Sequence, residues 1–446
     1  MIKHFNPGDR YGTTFTKLPQ LGPLPQDAFH IPKSDVDRLR NLAQRKHDYA
    51  LDTIMETRRD LWRSANDLQM KKPPICIYQI CWAEMTQEAA LQLQCTHPMA
   101  RELEDDLLKE LYCHEHGLGD VVIEDYIECP LYVYDSGFGI DEQVEVARTD
   151  KNSDIVSRHF NILIASADDI EKIKEPEIYL DLARTQQIFE VMCEIFGDII
   201  PIKKVGARGQ WFTPWDYLIR VMGIEETLIN LYDEPEFIEA TVKRYVDCSL
   251  LRAKRYSELG IWGSNNASCP VGSGGYGLTQ SLAGENGLET GCGLKQMWGC
   301  GNAQIFSGVS PDMHWQFSLQ YELDWLEQFG MTYYGCCEPL HNKLEMLQRI
   351  PNLRKVSMSP WSKLEVAAEI CKDKYVMSCK PSPAIFATDV FDEAAARSQV
   401  LAILEKTQDC HLELIMKDIS TVHYAPEKLA RWAKIARETV DAVYGA

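Results

Sequence analysis

The sequence contains no run of apolar residues near the ~18–20 that a membrane-spanning helix requires. Its start, "MIKHFNPGDRYGTTF", lacks the apolar core of a signal peptide, so the expected compartment is the cytoplasm. Positive charge is in deficit: 46 Lys and Arg face 66 Asp and Glu, giving a formal net charge of −20. Such a chain repels polyphosphate and anionic bilayers, which argues against nucleic-acid and membrane partners. No two of the 15 cysteines are spaced Cys-x-x-Cys, and their number is odd. That excludes a ferredoxin-type cluster pattern and a thioredoxin-type redox motif, and it argues against a disulfide framework. No Gly-x-Gly-x-x-Gly follows a strand in a βαβ context and no Gly-x-x-x-x-Gly-Lys-Ser/Thr occurs, so a dinucleotide or ATP site lacks its usual signature.

What is present is a globular composition, 45% hydrophobic and 25% charged over 446 residues. "SDVDRLRNLAQRKHDYALDTIMETRRDLWRSANDL" predicts a long charged helix, the body of an N-terminal helical extension over residues 1–72. "PPICIYQICW" predicts a buried strand, residues 97–117 a helix, and "VVIEDYIECPLYVYDSG" one or two strands interrupted by Pro130. From about residue 185 strand and helix alternate with short joints: "IIPIKKVG", "IWGSNN", "MTYYGCCEP", "LRKVSMSP", "YVMSCKP" and "HLELIMKD" are strands, and the segments between and after them are helical. That order predicts parallel strands with crossover helices, and the number of units favours a (β/α)8 TIM barrel over residues 73–446. Residues 263–308 hold 12 of the 27 glycines and show no periodicity. They are expected to be an insertion that acts as a lid or a docking loop.

In such a barrel the chemistry sits at the C-terminal ends of the strands. Those ends read Asn265 and Asn266, then "CCEP", "SMSPW", "SCKPSP" and "MKDIS". Alternation along a strand places Cys336 and Glu338 on one side and Cys337 on the other. Two thiolates and a carboxylate from separate strand ends suit four-coordinate zinc with one open position. The expected ligands are Cys336, Glu338 and Cys379, with Cys337, His341 and Asp418 in reserve; Glu338 doubles as the catalytic carboxylate. Aromatics cluster near the same ends, and Trp211, Trp262, Asn265, Tyr334 and Trp361 are the expected substrate contacts. The same aromatics could instead seal the barrel mouth.

From roughly residue 185 to 440 the chain resembles the uroporphyrinogen decarboxylase superfamily, and within it the corrinoid methyltransferase branch. "GQWFTPWDYLIRVMGIEETLINLYDEPEFI", "SPDMHWQFSLQYELDWLEQFG", "YGCCEPLHNKLEMLQRI" and "HLELIMKDISTVHYAPEKLARWAKIA" carry the resemblance. It implies a zinc-dependent methyltransferase that moves a methyl group from a small methyl ether, a methoxylated aromatic foremost, to the cobalt(I) of a corrinoid protein. Transfer from methylcobalamin to a thiol, and a metal-free barrel that binds a corrinoid partner, remain open alternatives. The direction of transfer and the formation of a homo-oligomer are also open. Where the branch carries His-x-Cys, this chain has Cys336-x-Glu338, or Tyr334-x-Cys336 in a shifted register, and the branch's third ligand falls near Asp418. The arginine-rich segment that a porphyrinogen decarboxylase uses for its substrate's carboxylates has no counterpart, which disfavours that activity.

Overall fold

The computed structural model describes residues 22–86, 88–140, 143–147, 157–209, 211–282 and 290–445. Twelve strands occur among them. In chain order they are β1 (Ile75–Ile77), β2 (Ile127–Pro130), β3 (Val133–Asp135), β4 (Val144–Ala147), β5 (Ser157–Phe160), β6 (Ile178–Leu180), β7 (Ile202–Val205), β8 (Trp298–Gly301), β9 (Met331–Tyr334), β10 (Leu353–Met358), β11 (Val376–Cys379) and β12 (His411–Met416). Six of these form a parallel sheet in the order β1-β12-β11-β10-β9-β8. β2 and β7 form a second parallel pair, and a parallel bridge between Ala207 and Trp262 extends it. β3 with β6, and β4 with β5, are antiparallel pairs.

Successive side chains of a strand point to opposite faces, and here the two faces differ in chemistry. One carries Ile75, Ile77, Val356, Met358, Met377, Cys379, Leu412, Leu414 and Met416, all in the main apolar cluster that the helices cover. Burying each such aliphatic side chain is worth about 1.5–3 kcal/mol. The other carries Trp298, Tyr333, Lys355, Ser357, Ser378, Glu413 and Lys417, all buried and mostly polar. These polar groups satisfy one another and a covering segment, residues 270–278, as buried polar groups must.

That covering segment lies within the glycine-rich stretch. Val271 N–H donates to Gly275 O at 3.1 Å, closing a tight turn, and Gly275 N–H donates to Glu413 at 2.9 Å. The Asn66 amide donates to the carbonyls of Tyr276 and Leu278 at 2.8 and 2.7 Å. Asp67 accepts from Gln280 N–H at 3.0 Å. The described part of the stretch is therefore pinned against the N-terminal helix rather than standing off as a free loop; residues 283–289 lie outside the described residues. The same stretch supplies β8, which pairs with β9 from Trp298↔Met331 to Gly301↔Tyr334. Its sequence, "WGCG", is poor in β-branched residues, so composition hides a strand that its neighbour stabilises.

The expected long N-terminal helix is two helices, Lys33–Ala50 and Ile54–Asn66. The helical run before Gly260 resolves into Pro214–Met222, Ile224–Asp233 and Pro235–Glu258, two of which start on the proline favoured at a first helical position. The helix before β9 contains a π-helical turn over Trp315–Leu319, between Pro311–His314 and Gln320–Leu326. Among the described residues no helix is long and apolar enough to cross a membrane.

Candidate functional site

On the polar face the ends of β1, β9, β10, β11 and β12 converge. β9 stops at Tyr334, and Gly335 then takes φ +102°. A Cβ at Gly335 would lie 2.4 Å from Leu340 Cδ1, so both the backbone angle and the space call for glycine. This bend re-aims the next two residues. The Cys336 and Cys337 sulfurs do not part to opposite faces; they lie 3.5 Å apart. Strand alternation fails here because the strand has already ended.

Lys417 and Asp418 meet this pair from the end of β12. Lys417 Nζ lies 3.6 Å from Cys336 Sγ, 3.8 Å from Cys337 Sγ and 3.0 Å from Asp418 Oδ2. The Cys337 thiol faces Asp418 Oδ2 at 3.5 Å. Asp418 itself holds φ +57°, a left-handed angle that costs a non-glycine residue about 1–2 kcal/mol. Besides the opposing charges of Glu338 and Asp418, three larger influences act on Cys336. The hydrogen bond with Cys337 favours its thiolate, burial opposes it, and Lys417 favours it again, leaving its pKa lowered to about 7. Cys337 is pushed up, first by its hydrogen bond with Cys336 and then by burial. Burial works against the charge on Lys417, but Cys336, Asp418 and Cys337 outweigh it and hold the ammonium above the usual lysine range.

A second lysine lies alongside. Lys380 Nζ donates to Tyr333 Oη at 2.6 Å and to Ser378 O and Oγ at 2.9 Å. Burial, then repulsion from Lys417, lowers its pKa to about 7. The Tyr333 hydroxyl also meets Ser273 Oγ of the glycine-rich segment at 2.8 Å. Tyr78, at the end of β1, is half-buried with its hydroxyl turned inward, and burial raises its pKa well above the usual value.

Glu338 is 2% exposed. One of its oxygens accepts the Cys336 N–H at 2.8 Å, and the other is buried without a hydrogen-bond partner among the described residues. Burial raises its pKa, with Asp216 adding to the rise and Lys343 opposing it. Behind it, on the helix-facing side, is a polar network that the sequence pattern does not announce. His314 Nε2 meets Tyr334 Oη at 2.8 Å, and His314 Nδ1 meets Lys343 Nζ at 3.1 Å. Burial lowers His314 well below its usual value, so the ring is neutral. Lys343 is lowered to about 8 by burial. Its ammonium also donates to Phe306 O. The only sequence signal for this network is the histidine of "SPDMHW", beside the π-helical turn; such turns frequently mark functional sites.

No family model matches this chain, and no curated protein matches it. Among solved structures the chain is similar to a methyltransferase from Methanosarcina mazei, at 13% identity over 85% of this chain and 97% of that one, with a TM-score of 0.48.

The remaining expected residues are scattered. Cys379 is 1% exposed and lies on the helix-facing side of β11, one residue out of phase with Ser378 and Lys380. Burial pushes its thiol well up. Cys336 and Cys379 therefore lie on opposite faces of the sheet. His341 is half-buried, its Nδ1 unpartnered among the described residues, and burial followed by Lys363 lowers it. Among the described residues no group of three or more His, Cys, Asp or Glu side chains could hold a metal ion. The expected zinc set of Cys336, Glu338 and Cys379 does not assemble, and the residues present do not fit that ion as expected.

The expected substrate contacts divide as well. Trp262 is fully buried, donating to Ala253 O at 3.2 Å and to Ser257 Oγ at 3.1 Å, so it seals the sheet against the helix Pro235–Glu258. Tyr334 faces the same side, in the His314 network. The Asn265 side chain clamps the Trp298 backbone, accepting its N–H and donating to its O, both at 2.8 Å. Trp211 is half-buried and packs against the cluster of Val271, Leu282, Trp298, Cys300, Met331 and Tyr333. Trp361 is 77% exposed in the loop after β10.

Proposed function

We propose that this protein is a methyltransferase that transfers a methyl group from a small methyl ether, a methoxylated aromatic foremost, to the cobalt(I) of a corrinoid protein. The observation that carries the reading is the convergence of Cys336, Cys337, Lys417, Asp418 and Lys380 at parallel strand ends, on the framework whose motifs resemble that branch. We read the six-stranded sheet and the β2–β7 pair, extended by the Ala207–Trp262 bridge, as arcs of one (β/α)8 barrel. The convergent ends are then its catalytic mouth.

The reaction is a displacement at the methyl carbon. The carbon–oxygen bond breaks and its electron pair stays on oxygen. An aryl oxide leaves readily only where positive charge or a proton donor meets the oxygen as it departs, and that stabilisation is worth most where water is excluded. Lys417 supplies the positive charge of this mouth, and Lys380 beside it is engaged with Tyr333 and Ser378. Glu338 holds the Cys336 backbone N–H and so fixes the bend that presents the two thiols. Trp211 and Trp361 are the aromatics we assign to contact a ring; Trp262 and Tyr334 are fully buried on the helix-facing side. No step is drawn through zinc, because the expected ligands do not come together.

The test is a panel of methoxyphenols, methanol, trimethylamine and glycine betaine, each mixed anaerobically with the protein and cob(I)alamin and followed by methylcobalt(III) absorbance. Methylation from a methoxyphenol supports the reading. Methylation only from an amine or methanol, or from no donor, overturns it.

A further inference from the structure

The bend after β9 leaves two neighbouring thiols side by side. Cys336 Sγ and Cys337 Sγ stand 3.5 Å apart, and a disulfide would draw them to about 2.0 Å, a side-chain rotation rather than a movement of the chain. The backbone of Cys336 is held at both of its polar groups. Its N–H donates to Glu338 at 2.8 Å, and its carbonyl accepts from Ser357 Oγ at 2.6 Å. Among the described residues Cys337 is exposed, whereas every other cysteine is buried or half-buried. A reagent in solution therefore reaches the pair through Cys337. Lys417 Nζ lies 3.6 Å from one sulfur and 3.8 Å from the other, and a cation so placed favours the thiolate, the form that reacts.

The same geometry makes a bridge here easy to reopen. Neighbouring Cα atoms stand about 3.8 Å apart across a trans peptide, short of the roughly 4.4–6.8 Å that an ordinary disulfide spans. A bridge between neighbours is strained, and the Ser357 hydrogen bond holds the linking peptide against the twist that would relieve it. Strained and exposed disulfides are the readily reduced kind.

We propose that Cys336 and Cys337 are a reversible modification site, a dithiol that a peroxide closes to a vicinal disulfide and a small thiol reopens. In closing, one sulfur gives an electron pair to a peroxide oxygen. The S–O bond forms, the O–O bond breaks and water leaves. The second sulfur then attacks the sulfenic sulfur; the S–S bond forms, the S–O bond breaks and a second water leaves. The two thiols are oxidised and the peroxide is reduced. Two equivalents of a small thiol reverse the change and become its disulfide. Closure takes both thiols away from Lys417 and leaves that ammonium with Asp418, at 3.0 Å.

The probe is hydrogen peroxide, one equivalent added to the reduced wild-type protein in the absence of other oxidants. Free thiols are then blocked with iodoacetamide under denaturing conditions, and the peptides are read by mass spectrometry. The peptide carrying both residues is expected two hydrogens lighter, with alkylation of Cys337 down by about tenfold or more and restored by dithiothreitol. In Cys336→Ser the oxidation of Cys337 has no partner to stop it and runs on to sulfinic acid, which dithiothreitol does not reverse. A wild-type protein that keeps both residues alkylated, carries Cys337 to sulfinic acid, or bridges either sulfur to another cysteine or a second chain overturns the proposal. That measurement stands even if Cys336→Ser fails to fold. A folded Cys336→Ser in which Cys337 is still reversibly protected overturns it too.

Discussion

Lys355 and Glu413 face each other at 2.8 Å on the polar side of the sheet, and neither side chain is exposed at all. The second Glu413 oxygen accepts from Ser378 Oγ at 2.7 Å and from Gly275 N–H at 2.9 Å. The pair is thus fully satisfied, and it joins β10, β11 and β12 to the glycine-rich segment. Removing one partner strands the other charge. Lys355→Met is expected to cost about 3–5 kcal/mol, whereas the double change Lys355→Met with Glu413→Leu recovers much of that loss. Urea unfolding midpoints of the two variants check the ordering.

The glycine-rich segment is tightly packed at several glycines, Gly275 among them. A Cβ on Gly275 would lie 2.2 Å from Trp62 Cζ3, and the Trp62 ring is held by its Nε1–H to Asp120 O at 3.0 Å. Gly275→Ala is therefore expected to destabilise by about 1–3 kcal/mol through overpacking. Gly308, where a Cβ would meet nothing within 4 Å, is the control. Gly308→Ala is expected to be neutral or slightly stabilising. Thermal melts of the two alanine variants make the comparison.

Glu322 gives a pH dependence with a definite sign. Burial raises its carboxyl to about 8; the hydrogen bonds of Ser318 and Tyr334 oppose the rise, and the charges of Glu338 and Asp216 add to it. The unfolded chain releases this proton near the ordinary glutamate value of about 4.3, while the folded protein keeps it. Between those values the unfolded state binds fewer protons, so stability falls as pH rises, by up to about 1.4 kcal/mol per unit. Glu322→Gln is expected to flatten the stability profile from pH 5 to 8 and to gain most at the upper end. An unchanged slope in urea titrations across that range would refute the assignment.

Cys379 is expected to behave as a core residue. Cys379→Ser places a hydroxyl in the apolar cluster and is expected to cost about 1–3 kcal/mol. The reactivity of Cys337 toward iodoacetamide, read by peptide mass spectrometry, is expected to stay unchanged. A large change in Cys337 alkylation with little loss of stability would place Cys379 at the strand-end site after all.

The strands β10, β11 and β12 are legible in the sequence because each is a short segment with Val, Leu, Ile or Met at alternate positions, set between helical segments. β8 is not, since "WGCG" has neither alternation nor β-branched residues and owes its strand to pairing with β9. The two thiols are legible but their aim is not: alternation carried past Tyr334 fails, because Gly335 has already turned the chain. For Cys379 the phase is present in "VMSCK", because Ser378 and Lys380 share the polar face and leave Cys379 with Met377 on the apolar, helix-facing side. Lys417 is readable in the same way from "HLELIMK", as the third member of a series with Glu413 and Ile415. A lysine at a strand end carries no motif, however, and only the folded geometry shows it beside two sulfurs.

The measurement that bears most directly on the account is the initial rate of methylcobalt(III) formation from a methoxyphenol and cob(I)alamin, compared among wild type, Cys336→Ser and Lys417→Met at matched folded fraction. The account predicts transfer by the wild type and a fall of about 100-fold or more in Lys417→Met, the scale of losing a transition-state charge partner. It predicts a smaller loss in Cys336→Ser, which removes one neighbour of that charge. Wild-type rates in both variants would contradict it and place the chemistry elsewhere on the molecule.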